Sequence, residues 1–216
     1  MSEFDKVLGN ENVATLDFLT SDFENDFLKR QYPNLNTENA YQEFLTDLRD
    51  GKTDNWQSIS KKAREKFKCS DLRLEMYEFH DSVWVLGNST FDTIESDSVN
   101  FMYSPVPYVK SRYKYTNPNG TTEYTYSRGS IEFMPNPDFD SIINRELITP
   151  SMNYIGKYLQ ALKSIKDKSE FHKEFYERKN SAGFLPSEST SRFMLNKNID
   201  LNDKLNRKII VLEFLY

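Results

Sequence analysis

The groups in this chain that could carry nucleophilic or metal chemistry are one cysteine, two histidines and 33 carboxylates. Cys69 follows a basic run, Lys61, Lys62, Arg64, Lys66 and Lys68, and His80 comes shortly after it. A thiolate nucleophile needs a neighbouring base or a positive field, so this is the enzymatic arrangement the chain comes nearest to. The simpler account is a half-buried structural cysteine at a helix end. His172 lies in Glu170-Phe171-His172-Lys173-Glu174, with its flanking carboxylates two residues away and off its helical face. Zinc-binding helices instead set two imidazoles four residues apart, so His172 reads as a partly exposed surface histidine. Asn136, Asp138 and Asp140 alternate as calcium ligands can, but the glycine and terminal glutamate of an EF-hand are missing, and a helix-capping loop fits better. No glycine-rich loop follows a strand and no Gly-x-Ser-x-Gly elbow occurs, which leaves phosphate cradles and serine nucleophiles unsupported. No spacing singles out a carboxylate pair. The sequence therefore assigns no catalytic residue, no metal ligand and no cofactor.

The tyrosines are the more informative feature. Tyr103, Tyr108, Tyr113, Tyr115, Tyr124 and Tyr126 cluster in one segment, interleaved with Lys110, Arg112, Lys114 and Arg128. Tyrosine suits a pleated, half-buried surface, which is sufficient reason for its presence in strands. It also supplies rigid apolar area with a hydroxyl at the tip, which suits protein or glycan contacts. Tyr108, Tyr113, Tyr115, Tyr124 and Tyr126, with Lys110 and Arg112, are the candidate binding residues.

These residues have to be positioned by strands. Val83, Trp84 and Val85 within Ser82–Leu86 read as a buried strand, and Val99, Phe101 and Tyr103 as another. Asn117-Pro118-Asn119-Gly120 is turn chemistry between two strand-like runs. Pairing Thr116 with Thr121 sets Tyr113 opposite Tyr124 and Lys114 beside Glu123, an aromatic and an opposite-charge pair on the two faces. A further strand is expected over Ser130–Met134.

Helices flank this segment on both sides. Leu16, Leu19, Phe23 and Phe27 make a stripe that predicts a helix over Val13–Gln31, stopped by Pro33. Ala40, Tyr41, Phe44, Leu45 and Leu48 predict a second over Glu38–Arg49, with Gly51 behind it. A third should begin after Asp54, with Gln57 completing a capping box. In the C-terminal third, Thr149-Pro150 predicts a helix start, Ser169 and Gly183 bracket another helix, Ser187 opens a shorter one, and a last helix starts near Asp200. Ile209 to Tyr216 is apolar on most sides, as in a buried helix. The order is helices, a β meander, then helices: an α+β fold, read as a single domain over residues 1–216.

The 216 residues carry a net charge of −5, without the basic footprint of a nucleic-acid binder, and no nucleic acid is expected as a partner. The acidity is uneven: residues 1–60 hold twelve Asp/Glu against five Lys/Arg. That is either a solvated face or a docking surface for a basic partner, which makes an acidic inhibitor or immunity-type protein the alternative functional reading. One cysteine permits no internal disulfide. Apolar stretches are too short to span a bilayer, and the first ten residues lack the pattern of a signal peptide.

Several stretches resemble the mature parts of small uncharacterised lipoproteins of Bacteroidota-type bacteria: Phe23-Glu24 leading to Tyr32-Pro33, Ala40-Tyr41, Phe44-Leu45, Tyr158-Leu159-Gln160-Ala161-Leu162, Gly183, and Ile199-Asp200-Leu201 before Ile209–Tyr216. The resemblance covers the two helical ends, about half of the chain, and its motifs are core and capping patterns. It implies export and a lipid tether to the cell envelope in the precursor, with Met1 standing where the lipidated cysteine was removed. It implies no reaction and no catalytic residues. A cytoplasmic location is the alternative.

Overall fold

The computed structural model describes residues 2–54, 56, 60–86, 108–116, 121–130 and 138–215. It is an α+β structure that divides into two units, one formed by Met1–Tyr77 with Met152–Tyr216 and one by Glu78–Ser151.

Helix starts in the first unit follow short polar side chains. Ser2 accepts from the Asp5 amide at 3.1 Å while the Asp5 carboxylate accepts from the Ser2 amide at 3.2 Å, a reciprocal cap that opens α1 (Glu3–Leu8). The helix expected over Val13–Gln31 starts earlier. It runs as α2 (Asn10–Asp22), a wider π-helical stretch (Phe23–Leu28) and a closing α turn, α3 (Lys29–Gln31). Helix α4 (Thr37–Arg49) is capped by Asn36, which accepts from the Asn39 amide at 2.8 Å. The third expected helix begins later than Asp54. Ser60 caps α5 (Lys61–Lys68) by accepting from the Ala63 amide at 3.0 Å, and Trp56 packs its ring on Phe27 and Phe44 outside any helix. Gln57 and Ile59 lie outside the described residues. Two elements follow, α6 (Asp71–Met76) and a two-residue strand, β1 (Tyr77–Glu78).

Among its described residues the second unit holds a three-stranded antiparallel sheet and a helix. Strands β2 (His80–Leu86), β3 (Tyr108–Thr116) and β4 (Thr122–Ser130) lie in the order β2-β3-β4. Helix α7 (Phe139–Ile148) is capped by Asp138, which accepts from the Ser141 amide at 3.2 Å and from the Ser141 hydroxyl at 2.6 Å. The expected register is corrected by one residue. Thr116 pairs with Thr122, so Lys114 faces Tyr124, Tyr113 faces Thr125 and Arg112 faces Tyr126. A one-residue slip exchanges the two faces of a strand, so the register is set by whichever face is buried. Ile142 of α7 packs on Val83 and Val85, and Ser111, the Cα partner of Val83, is 3% exposed. That buried side fixes Ser111 inward and Lys110, Arg112 and Lys114 outward. The Asn117–Gly120 turn and the strands expected around Val99–Tyr103 and over 131–134 lie outside the described residues.

The chain re-enters the first unit through β5 (Ser151–Met152), and the Asn153 amide donates to the Met76 carbonyl at 2.9 Å. The helix start expected at Thr149 is a helix end instead. Thr149 closes α7 with its hydroxyl donating to the Arg145 carbonyl at 2.8 Å, and the next helix, α8 (Lys157–Ser164), starts eight residues later. Its first amide, of Lys157, is accepted at 2.8 Å by the Glu75 carboxylate, a cap supplied from far along the chain. The backbones approach so closely there that a Cβ on Gly156 would lie 2.1 Å from the Glu75 carbonyl oxygen, so only glycine fits. Helix α9 (Glu170–Ala182) runs from Ser169 to Gly183, whose φ of 66° suits a residue without Cβ. Helix α10 (Ser187–Asn196) follows as expected, and α11 (Lys204–Leu215) starts four residues after Asp200. Asp200 and Asp203 shape the turn before it, accepting from the amides of Asn202 and Leu205.

The core of this unit is rich in rings. Phe4, Phe23, Tyr41, Phe44 and Tyr158 are fully enclosed, and Ile209, Ile210, Val211 and Leu212 of α11 are buried on all sides. Phe44 is the centre, with ring centroids of Trp56 at 5.0 Å, Phe23 at 5.1 Å, Phe27 at 5.9 Å and Phe214 at 6.0 Å. Such pairs add to area burial when offset or edge-on.

Candidate interaction face

Alternation along β3 puts every second side chain on the side of the sheet opposite α7. That side carries Trp84, Lys110, Arg112, Lys114, Tyr124 and Tyr126. Tyr124 and Tyr126 are 49% and 56% exposed, unusual for large rings on a sheet. The cations lie on the rings. The Lys110 ammonium is 5.2 Å from the Tyr126 centroid and 5.8 Å from that of Trp84, and the Arg112 guanidinium is 4.7 Å from Tyr124. The Trp84 and Tyr126 rings meet edge to face at 6.3 Å. Arg112 is further held by Asp81, with paired hydrogen bonds of 3.1 and 2.9 Å, and donates to Ser82 at 3.1 Å. The Asp81 hydrogen bond is the main influence raising the guanidinium pKa, so Arg112 stays charged. Cation–π contacts of this kind are worth about 0.5–1 kcal/mol when exposed, enough to bias each side chain towards one orientation.

Four of the seven candidate residues, Lys110, Arg112, Tyr124 and Tyr126, thus share one outward face. Tyr113 does not. It lies on the α7 side, where its ring is 4.0 Å from that of His80 and its hydroxyl is 2.9 Å from the Ser151 hydroxyl. Tyr108 and Tyr115 are residues of β3, and their side chains are outside the described set. Sequence reasoning missed Trp84 and Asp81. The period of two in Ser82-Val83-Trp84-Val85 holds the signal: if the valines face a helix, Trp84 faces out.

The other chemical candidates fall in different units. Cys69 is exposed, at the C-terminal cap of α5. His80 is buried in the second unit with Nδ1 2.7 Å from the Glu146 carbonyl oxygen. Among the described residues no group of three or more His, Cys, Asp or Glu side chains converges as metal ligands would, and no helix is long and apolar enough to cross a membrane. Much of the acidity of residues 1–60 is met within the first unit. Asp5 and Asp17 pair with Lys208 at 2.9 and 2.8 Å, and Glu24 with Arg207 at 3.5 Å.

His172 is a correction: it is 5% exposed rather than at the surface. Its Nδ1 is 2.7 Å from the Ser169 hydroxyl, and its Nε2 is enclosed without a hydrogen-bond partner, as is Oδ1 of Asn206. Burial, with Lys168 adding, lowers its pKa below the ordinary imidazole value near 6.5. The unfolded chain therefore binds a proton at His172 at a pH where the folded chain does not, and stability falls as pH drops from about 6.5 towards the lower folded value. Urea midpoints measured from neutral pH downward should decline over that window. His172→Gln should flatten the decline, and equal slopes in the two proteins would refute this assignment.

Comparison with protein-family models, with curated proteins and with solved structures returns no match to this chain.

Proposed function

We propose that this chain is a non-catalytic binding module that holds a protein or glycan partner on the outward face of its β2-β3-β4 sheet. The observation that carries the reading is the pair of half-exposed rings, Tyr124 and Tyr126, fixed in place by Lys110 and Arg112. Ordering side chains on association costs roughly 0.5–1.5 kcal/mol apiece, and a surface already ordered by internal contacts avoids much of that. Tyrosine, tryptophan and arginine are also the residues on which binding energy concentrates. An envelope location for such a module is what the resemblance of the helical ends suggests.

The test is a double variant, Tyr124→Ser with Tyr126→Ser, used beside the parent chain against a glycan array and a fractionated lysate. Both rings are about half exposed, so circular dichroism should be unchanged and the melting midpoint should fall only slightly. Binding of any partner that uses the face should weaken by roughly 100-fold, two anchors at more than 1 kcal/mol each. A partner retained equally by both proteins would overturn the reading.

A further inference from the structure

The charges of the second unit are sorted. Glu78–Ser151 holds ten Asp/Glu and five Lys/Arg, so the unit as a whole is acidic. Yet four of its five cations, Lys110, Arg112, Lys114 and Arg128, occupy even positions of β3 and β4, which the register brings to one face. Lys110 and Arg128 are direct Cα partners. Like charges opposite one another weaken a sheet, so folding alone gives no reason for this arrangement. The single acid of these two strands, Glu123, is the partner of Tyr115 at an odd position. Asp81, from β2, pairs with Arg112 on this face.

We infer that the occupant of this face is an extended, acidic polypeptide segment with carboxylates at alternate positions. The inference rests on the binding-face reading above. Lys110, Arg112 and Lys114 are spaced two residues apart on one strand, a repeat of about 6.8 Å. Alternate side chains of any extended peptide repeat at the same distance, so three carboxylates can meet three cations in one register. The rings argue for a peptide against two other anionic polymers. A nucleobase binds tyrosine by stacking on its open face, and the apolar side of a sugar ring needs the same surface. Here Arg112 already covers one face of Tyr124, and Lys110 one face of Tyr126. The partner that suits a cation-covered ring brings its anion to the cation and leaves the contact beneath intact.

The experiment is a titration, by fluorescence anisotropy, of four labelled probes with the full chain: an alternating Glu-Ser peptide, a peptide of the same composition with its glutamates in one block, an oligothymidylate and an oligogalacturonate. The alternating peptide should bind about tenfold more tightly than the blocked one, because misregister forfeits one or two of the three ion contacts. Lys110→Gln with Lys114→Gln should weaken it by about tenfold, Lys110→Arg with Lys114→Arg should restore it, and added salt should weaken it. Equal binding of the two peptides, or tighter binding of the oligothymidylate or oligogalacturonate that the same glutamine variant weakens, overturns the acidic-peptide inference and leaves the binding face standing. If neither the glutamine variant nor Tyr124→Ser/Tyr126→Ser changes binding of any probe, both fall.

Discussion

Glu213→Gln should destabilise the protein by about 3–5 kcal/mol, the usual consequence of removing one member of a buried ion pair. The Lys179 and Glu213 side chains are 5% and 4% exposed and meet at 2.9 Å. The Tyr158 hydroxyl donates to the same carboxylate, and the Lys179 ammonium lies 5.9 Å from the centre of the Phe184 ring. Burial, with the charge of Glu213, pushes the Tyr158 phenol well above its ordinary pKa, so it remains a donor. Glutamine preserves the shape and takes away the charge. Lys179 must then lose its proton or remain a buried cation without a counter-ion. For a domain whose whole stability is about 5–15 kcal/mol, this approaches unfolding. The paired replacement Lys179→Met with Glu213→Leu should recover most of the loss, since an ion pair and an apolar pair of similar volume are often of equal worth. Urea unfolding of the three proteins decides it. A single variant with the parental midpoint would mean that water or rearrangement reaches Glu213.

Phe44→Ala is the second large effect, and it comes from packing alone. Phe44 is wholly enclosed and touches four other rings drawn from α2's continuation, the α4–α5 connection and α11. Truncation leaves a cavity that rigid neighbours cannot close, and losses of about 3–5 kcal/mol are usual at such sites. Phe44→Leu should cost less, because more of the volume remains. Trp56 stacks on Phe44 at 5.0 Å, so its emission reports on the cavity as well as on unfolding. The denaturation midpoint should fall with the slope against urea unchanged. A shift below 1 kcal/mol would show that the ring cluster repacks.

Local signals in the sequence were reliable and distant ones were not. The stripe Ala40-Tyr41-Phe44-Leu45 and the bracket of Ser169 and Gly183 belong to the helices they describe, so α4 and α9 were legible. The start of α8 was not, because its cap is Glu75, contributed from before the sheet. The hairpin register failed for a similar reason. Pairing Tyr113 with Tyr124 satisfied the two strands by themselves, but the deciding contact is Ile142 on Val83 and Val85, made by the helix that Asp138 caps, and that packing was not legible in the sequence. The candidate face was half legible. Alternation of Lys110, Arg112 and Lys114 with Ser111 and Tyr113 was visible, but which set faces solvent depended on α7. Asp81 and Trp84 belong to a strand whose pairing the sequence did not reveal. His172 and the Lys179–Glu213 pair were invisible because burial of a polar group depends on partners remote in the chain.

The Asn153 amide and the Met76 carbonyl, bonded to each other, mark the two points where the chain departs from the helical unit and comes back. The whole of Glu78–Ser151 is thus a loop whose ends are already stitched together. Closing a loop becomes only about 0.6 kcal/mol harder each time its length doubles. Inheritance can therefore lengthen, shorten or exchange the sheet at little thermodynamic penalty while the ring-packed scaffold keeps its sequence.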